Sequence, residues 1–251
     1  LLLMDYTTDL PILFADESLL AVNKPPGLAS LPDGYDPTAP HLRGILEPVY
    51  GRLWTVHRLD RQTSGVAVLA RTAEAHRDLN TQFQQRRVLK VYRALVLGDP
   101  PWDEQTVALP LRADGDRRHR TVVDLRLGKP AVTRLRALER FRRFALVEAV
   151  PETGRPHQVR VHLREAGAPV ACDPLYGDGA RIFLSDLPSG VQKERGMDRL
   201  LLGRLGLHAW SLTVEHPVAR EMLTFQAPYP ADLELVLGIL RGKPLHLRTA
   251  C

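Results

Sequence analysis

Asp60 is the residue on which chemistry is most readily built. It stands in HRLDRQTSG (57–65), between Arg58 and Arg61, with Arg52 a little further back. Nearby positive charge favours the ionised form of a carboxylate. Gln62, Thr63, Ser64 and Gly65 follow and offer amide, hydroxyl and backbone donors in a tight turn. The apolar run VAVLA (66–70) comes next. An ionised carboxylate at a loop–strand junction can act as a nucleophile or a base on a rigid scaffold. A plain Asp–Arg salt bridge closing a turn fits the same segment, so the residue types alone leave both readings open.

Other chemistries find less material. His157 and His162 are five apart, the wrong spacing for one helical face, and no ligand cluster surrounds them, so no metal is expected. Cys172 has no nucleophile motif around it and is expected to be buried. The other cysteine is Cys251, and two cysteines exclude a disulfide scaffold. No Walker or dinucleotide glycine pattern occurs.

Charge points to a polyanion. The 251 residues carry 34 Lys+Arg against 29 Asp+Glu, a net +5, with a pI near 9.5. Arginine clusters in QQRRVLK (84–90), RRHR (117–120) and FRRF (141–144). Arginine forks bind phosphate bidentately and stack on bases. A coding sequence biased towards arginine explains the composition equally well. With 44% hydrophobic residues the chain can bury a core, which excludes disorder over most of it. No stretch approaches the roughly 20 apolar residues of a membrane span, and the N-terminal leucines lack the pattern of a secretory signal. A reducing cytoplasm is the expected compartment.

The elements that must hold these residues are mostly strands. Residues 19–24, 66–70 and 91–97 read as strands, as do 121–127, 131–139 and 144–150. Residues 207–215 and 221–226 read as a hairpin. A helix is expected over 40–49, with Pro40 in its first turn and Leu42, Ile45, Leu46 and Val49 on one face. Thr72 suits the cap of a second helix running to about Arg87. A third is expected over 154–167, started by Pro156 and stopped by Gly167, with Val159, Leu163 and Ala166 as its apolar stripe. Arg160, Arg164 and His157 fall on another face. A last helix spans 231–241. Strict βαβ alternation is absent, so the expectation is an α+β fold with a mixed, largely antiparallel sheet. Segment 180–204 reads as a loop or insertion.

HRLDRQTSG resembles the signature of the RluA-type pseudouridine synthases, in which H-R-L-D carries the catalytic aspartate. NKPPGL (23–28), KVYRALV (90–96) and GKPAVT (128–133) resemble further blocks of that family. So do GRPHQVRVHL (154–163), DPLYGD (173–178), LHAWSLTVEHP (207–217) and FQAPYPADL (225–233), all in family order. The resemblance covers about 12–240 of a single catalytic domain, 1–251. Gln62, Pro26 and Val159 depart from the usual pattern. The small N-terminal RNA-binding module of many relatives is expected to be absent.

The resemblance implies a bent sheet with two lobes around an RNA cleft. It implies conversion of a uridine in ribosomal or transfer RNA to pseudouridine, with no cofactor. Asp60, Tyr92 and Arg160 are the implied catalytic residues: a carboxylate, a ring beside the uracil, and a cation that orients the carboxylate. Arg58, Arg61, Lys90, Arg155 and His157 are implied to bind substrate, with Arg58 helping to extrude the target nucleotide. No membrane or protein partner is implied, and a monomer is expected. The alternative from another class is a non-catalytic RNA-binding protein or RNA chaperone on the same domain. A small-molecule hydrolase using Asp60 and a histidine is a third.

Overall fold

Side-chain alternation decides which apolar layer each strand residue enters. In the run Ser64–Ala70, Val66, Val68 and Ala70 join one cluster, while Ala67 and Leu69 join another on the opposite face. Phe144–Pro151 divides the same way: Ala145, Val147 and Ala149 enter one cluster, Phe144 and Leu146 a second. Strands buried on both faces read as continuous apolar runs, and both faces must be covered.

The structure, a computed structural model, describes residues 10–32, 34, 36, 38–187 and 198–243. In chain order it begins with β1 (Ile12–Ala15), β2 (Leu19–Lys24), α1 (Leu42–Tyr50), β3 (Trp54–Thr55), β4 (Ser64–Ala70), α2 (Ala73–Gln84) and β5 (Leu89–Leu97). Next come β6 (Glu104–Val107), β7 (Leu111–Arg112), β8 (Val122–Val123), β9 (Thr133–Phe141), β10 (Phe144–Pro151) and α3 (Gln158–Glu165). The last are β11 (Ile182–Phe183), β12 (Leu200–Leu202), β13 (Leu207–Glu215), β14 (Met222–Gln226) and α4 (Ala231–Leu240).

Ten strands form one sheet in the order β1-β2-β4-β13-β5-β10-β9-β6, with β14 beside β13 and β3 beside β4. The β13–β4 pair is parallel and the other pairs of this sheet are antiparallel. This is the α+β, largely antiparallel architecture expected. At the parallel contact, His208 and Ala209 stand opposite Ser64 and Gly65. Gly65 has φ of 114°, and a Cβ there would meet the Ala209 nitrogen at 2.7 Å. Only glycine permits this approach. Next to it the Ser64 hydroxyl lies 2.9 Å from His208 Nδ1, and His208 Nε2 lies 3.1 Å from the Ala227 carbonyl. Burial holds His208 down at about 4, so the ring is neutral at pH 7. The strand that follows Asp60 is thus pinned to the middle of the sheet.

Several local expectations need correction. The first helix starts at Leu42, not in the turn holding Pro40, because His41 Nδ1 accepts from Gly44 N and caps it there. Val49 is 73% exposed and off the buried face. Of 121–127 only Val122–Val123 is strand; Asp124 Oδ1 accepts from the amides of Arg126 and Leu127 and turns the chain. Pro156 does not start the third helix. It begins at Gln158, preceded by His157 at φ 52°. Gln158 is the cause: its Oε1 accepts from Thr153 Oγ1 and Arg155 N, and its Nε2 donates to the Val132 carbonyl. His157 therefore precedes the helix and does not share a helical face with Arg160 and Arg164. Within 180–204, β11 pairs with β12 as a small antiparallel sheet, and 188–197 lie outside the described residues, as does Cys251. Thr72 caps α2 as expected, its Oγ1 accepting from Ala75 N.

Candidate active site

A buried ion cluster organises the site. Arg160, in the first turn of α3, is 7% exposed and Asp173 is 0% exposed. Arg160 Nε and Nη2 donate to Asp173 Oδ2 and Oδ1 at 2.8 and 2.7 Å, a bidentate pair. Asp173 Oδ1 also accepts from the amides of Leu175 and Tyr176. The third nitrogen of the fork, Nη1, reaches Asp60 Oδ2 at 3.3 Å. One face of the guanidinium covers the Tyr176 ring, 4.9 Å from its centroid. Arg160 thus spans from a buried anchor to a half-exposed carboxylate.

His157 completes the cluster. Its Nε2 lies 3.8 Å from Asp60 Oδ2, and its Nδ1 lies 2.8 Å from the Tyr176 hydroxyl. That hydroxyl also accepts from Thr121 N, so Tyr176 fixes the orientation of the His157 ring beside Asp60. Burial lowers the His157 pKa, and the Asp60 charge opposes that shift.

Asp60 opens on a cleft of about 540 Å³. Residues 56–60 form one wall and residues 151–160 the other, with Lys90 and Tyr92 from β5 and the end of α2 completing it. Tyr92 packs between two core clusters. Burial and the charge of Asp60 push its phenol up, so it stays protonated well above neutral pH. Lys90 Nζ donates to the Thr153 carbonyl at 3.0 Å. Burial and the neighbouring Arg86 bring Lys90 down to about 8, leaving it charged at neutral pH. Arg155 lines the cleft and is steadied by its Nε donating to the Pro130 carbonyl. Arg58 is exposed on the rim.

The structure therefore brings together Asp60, Tyr92, Arg160, Arg58, Lys90, Arg155 and His157 around one cleft. Arg61 is not among them. Its Nε donates to the Gly27 carbonyl at 2.9 Å, and its own carbonyl accepts from Gly27 N and Lys24 Nζ. Arg61 ties the 25–28 turn to the Asp60 loop instead of facing the cleft. Lys24, fully buried, also donates to the carbonyls of Pro25 and Leu28. Burial brings it down to about 7 against the pull of Asp60. Asp173, Tyr176 and Lys24 were not singled out from sequence. Each stands in a segment that was, NKPPGL or DPLYGD, but nothing in those segments marks an inward-facing side chain.

A model of the RNA pseudouridylate synthase family matches residues 18–165, which includes Asp60, Tyr92 and Arg160. The chain belongs to this family. A ribosomal large subunit pseudouridine synthase D of Neisseria meningitidis serogroup B is 38% identical over 237 residues, 92% of this chain and 61% of that protein. A ribosomal large subunit pseudouridine synthase C of Pasteurella multocida is 38% identical over 233 residues, 92% of this chain and 68% of the relative. The chain spans about three fifths of the length of the first of these family members. Among solved structures, human RNA pseudouridylate synthase domain containing 4 has a TM-score of 0.69 at 28% identity, covering 92% of this chain and 93% of the other. The family fold is therefore shown by sequence and by structure together.

Proposed function

We propose that this family member isomerises uridine in RNA to pseudouridine, with ribosomal RNA as the favoured substrate. The observation that carries the reading is the Asp60–Arg160 contact of 3.3 Å inside a cleft lined by Arg58, Arg86, Lys90 and Arg155. A carboxylate alone in such a cleft would serve many reactions. One oriented by a buried guanidinium, with a neutral phenol and a neutral imidazole alongside, suits chemistry on an uncharged base.

The reaction breaks the bond between the ribose and nitrogen 1 of uracil and forms one between the ribose and carbon 5. Nitrogen 1 gains a proton and carbon 5 loses one, so atoms balance without a co-reactant. Asp60 acts as the carboxylate in the first step, as nucleophile or base. Arg160 holds it in orientation and limits the charge that burial would penalise. Tyr92 offers a ring face to stack the uracil and an O–H to hydrogen bond it. Its raised pKa makes it a weak source of phenolate, which favours stacking over proton removal. Arg58 and Arg155 on the cleft walls suit the flanking phosphates. Support for ribosomal RNA comes from what the similar proteins are called. The reading puts the enzyme in the cytoplasm as a monomer.

The test is direct. Purified protein is incubated with a uridine-containing large-subunit RNA, and pseudouridine is mapped in the product. Formation at discrete sites, lost in Asp60→Asn, supports the proposal. RNA bound tightly without any pseudouridine formed would instead favour an RNA chaperone.

A further inference from the structure

Two arginines among the described residues stand in the left-handed backbone region that favours glycine, Arg86 at φ 58° and Arg220 at φ 60°. Arg86 follows the end of α2. Its N donates to the Phe83 carbonyl at 3.2 Å, and Arg87 N donates to the Gln82 carbonyl at 2.9 Å. In such a closing turn the left-handed residue is usually glycine. A long side chain kept where glycine is less strained points to a use for its head group. At Arg220 that use is visible: Nη1 donates to Asp78 Oδ2 at 2.6 Å and to Glu215 Oε1 at 3.0 Å. Arg87 is engaged as well, its Nε donating to Gln85 Oε1 and its Nη1 lying 3.8 Å from Glu215 Oε2. Arg86 has no ion pair and no side-chain hydrogen bond among the described residues. It is exposed, on the wall of the active-site cleft.

The charges around Arg86 are unbalanced. Lys90 stands near enough that the Arg86 charge, after burial, helps lower its pKa. The Lys90 ammonium bonds a carbonyl, that of Thr153, and no carboxylate. Two acids line the cleft, Asp60 and Glu152. Asp60 is held by Arg160 and faced by His157. Glu152 Oε1 is paired with Arg134 Nε at 3.1 Å. Neither acid is left for Arg86 and Lys90. Two neighbouring cations with no protein anion between them repel each other, and an anion from outside relieves that repulsion. Lys90 and Tyr92 are alternate residues of β5 and both line the cleft. Their side chains leave the strand about 7 Å apart on one face. An anion held by Lys90 therefore lies beside the ring that receives the uracil.

We propose that Arg86 and Lys90 form a phosphate site for the RNA linkage directly flanking the target uridine, an inference that rests on the synthase reading above. The arginine fork takes the two free oxygens of a phosphodiester, and the lysine adds a point charge beside it. The closing turn of α2 fixes where the fork starts, and β5 fixes the lysine relative to Tyr92. The site thereby sets how far along the strand the uridine sits, without touching the reacting atoms.

The experiment uses a large-subunit stem-loop RNA and two versions of it carrying an uncharged methylphosphonate at the linkage 5′ or 3′ of the target uridine. Arg86→Gly and Arg86→Lys are compared with the parent on all three, with RNA affinity and pseudouridine formation measured separately. Arg86→Gly is expected to lower affinity and kcat/KM about tenfold on the natural RNA, as loss of a charged hydrogen bond does. The loss should shrink below about twofold on the version whose neutral linkage occupies the site. The melting temperature of Arg86→Gly should stand at or above the parent's, because glycine relaxes the left-handed backbone. Arg86→Lys keeps the charge without the fork and should recover part of the affinity. Equal losses on all three RNAs, or none, would overturn the proposal. So would a lower melting temperature in Arg86→Gly with losses that ignore the linkage, which would assign the arginine to the fold. Should the parent bind these RNAs and form no pseudouridine, the synthase reading fails. The affinity arm still judges the phosphate site, because only a phosphate contact makes the Arg86→Gly effect depend on the charge of one linkage.

Discussion

Two arginine-rich regions of this protein lie close together and behave oppositely. Arg160 is buried, bidentate to Asp173 and in contact with Asp60. The 116–120 turn, linked to the same corner through Arg120 and Leu175, leaves Arg117 and Arg118 exposed. In sequence the turn is the more conspicuous cluster, and Arg160, one helical turn before Arg164, is marked out only by the family resemblance of GRPHQVRVHL. The difference lies in the partner supplied. Asp173 is delivered to Arg160 by a loop whose amides already neutralise part of its charge. Arg117 and Arg118 receive no such partner among the described residues. Arg120 is intermediate: its Nε donates to Asp116 at 2.7 Å and its Nη1 to the Leu175 carbonyl at 3.0 Å. Local arginine density reports where charge is written, and the buried acid reports where it is used.

The largest effect expected at the buried region is on chemistry. Asp60→Asn keeps the side-chain shape and removes the charge that Arg160 faces. Pseudouridine formation should fall by at least about 10³-fold, while RNA affinity and melting temperature change little, since Asp60 is 27% exposed. Single-turnover assays with saturating enzyme separate the two. Near-parent turnover would reduce the cluster to a structural ion pair.

Next in size is the loss of the anchor. Arg160→Met leaves Asp173 charged and unpaired in the interior, which should cost about 3–5 kcal/mol in urea denaturation. Arg160→Lys should recover part of the stability and little of the activity, because one ammonium cannot serve Asp173 bidentately and reach Asp60 as well. Full activity in the lysine variant would show that the orientation of the fork does not matter.

This comparison also shows what the sequence could tell. The strands 66–70 and 144–150 were legible because both faces are apolar, and the Thr72 cap because its side-chain bond is local. The Asp60 loop was legible through the resemblance of HRLDRQTSG to a family signature, since its residue types alone fit a plain salt bridge as well. The start of α3 was not. It depends on Gln158 bonding to nearby Thr153 and also to the Val132 carbonyl on a separate segment, a contact that no local pattern reveals. The place of Arg61 was hidden for a related reason: it is one residue from Asp60, yet its side chain turns to Gly27. Burial of Lys24 and Asp173 likewise follows from tertiary packing, which residue type alone argues against.

Lys90 gives a middle-sized effect that sharpens the contrast through pH. It titrates at about 8, burial first and Arg86 second. It is charged below that pH and neutral above it, so its attraction for phosphate should fade as pH rises through about 8. The exposed arginines keep their charge throughout. RNA affinity measured from pH 6.5 to 9.5 should fall a fewfold across that midpoint in the parent, and Lys90→Gln should remove the inflection. The folding sign is opposite. The unfolded lysine holds its proton up to its ordinary value of about 10.4, so between about 8 and 10 the unfolded state binds more protons and this group's contribution to stability rises with pH.

The smallest effect belongs to the exposed turn. Arg117 and Arg118 have no ion-pair partner among the described residues, and they project from a turn built by Asp116, whose Oδ1 accepts from the amides of Arg118 and Arg120. Replacing both with Ala leaves that turn intact, so melting should not shift. If RNA passes over this corner, each arginine that touches a phosphate contributes about 0.7–0.9 to the slope of log affinity against log salt. Losing both should flatten the slope by up to about 1.8, with turnover at saturating RNA unchanged. Arg120→Ala should behave differently, lowering the melting temperature by freeing the Leu175 carbonyl and Asp116 while changing the slope less. A slope that stays fixed in the Arg117→Ala, Arg118→Ala double variant would show that the RNA is held by the cleft arginines alone and that the conspicuous cluster faces away from it.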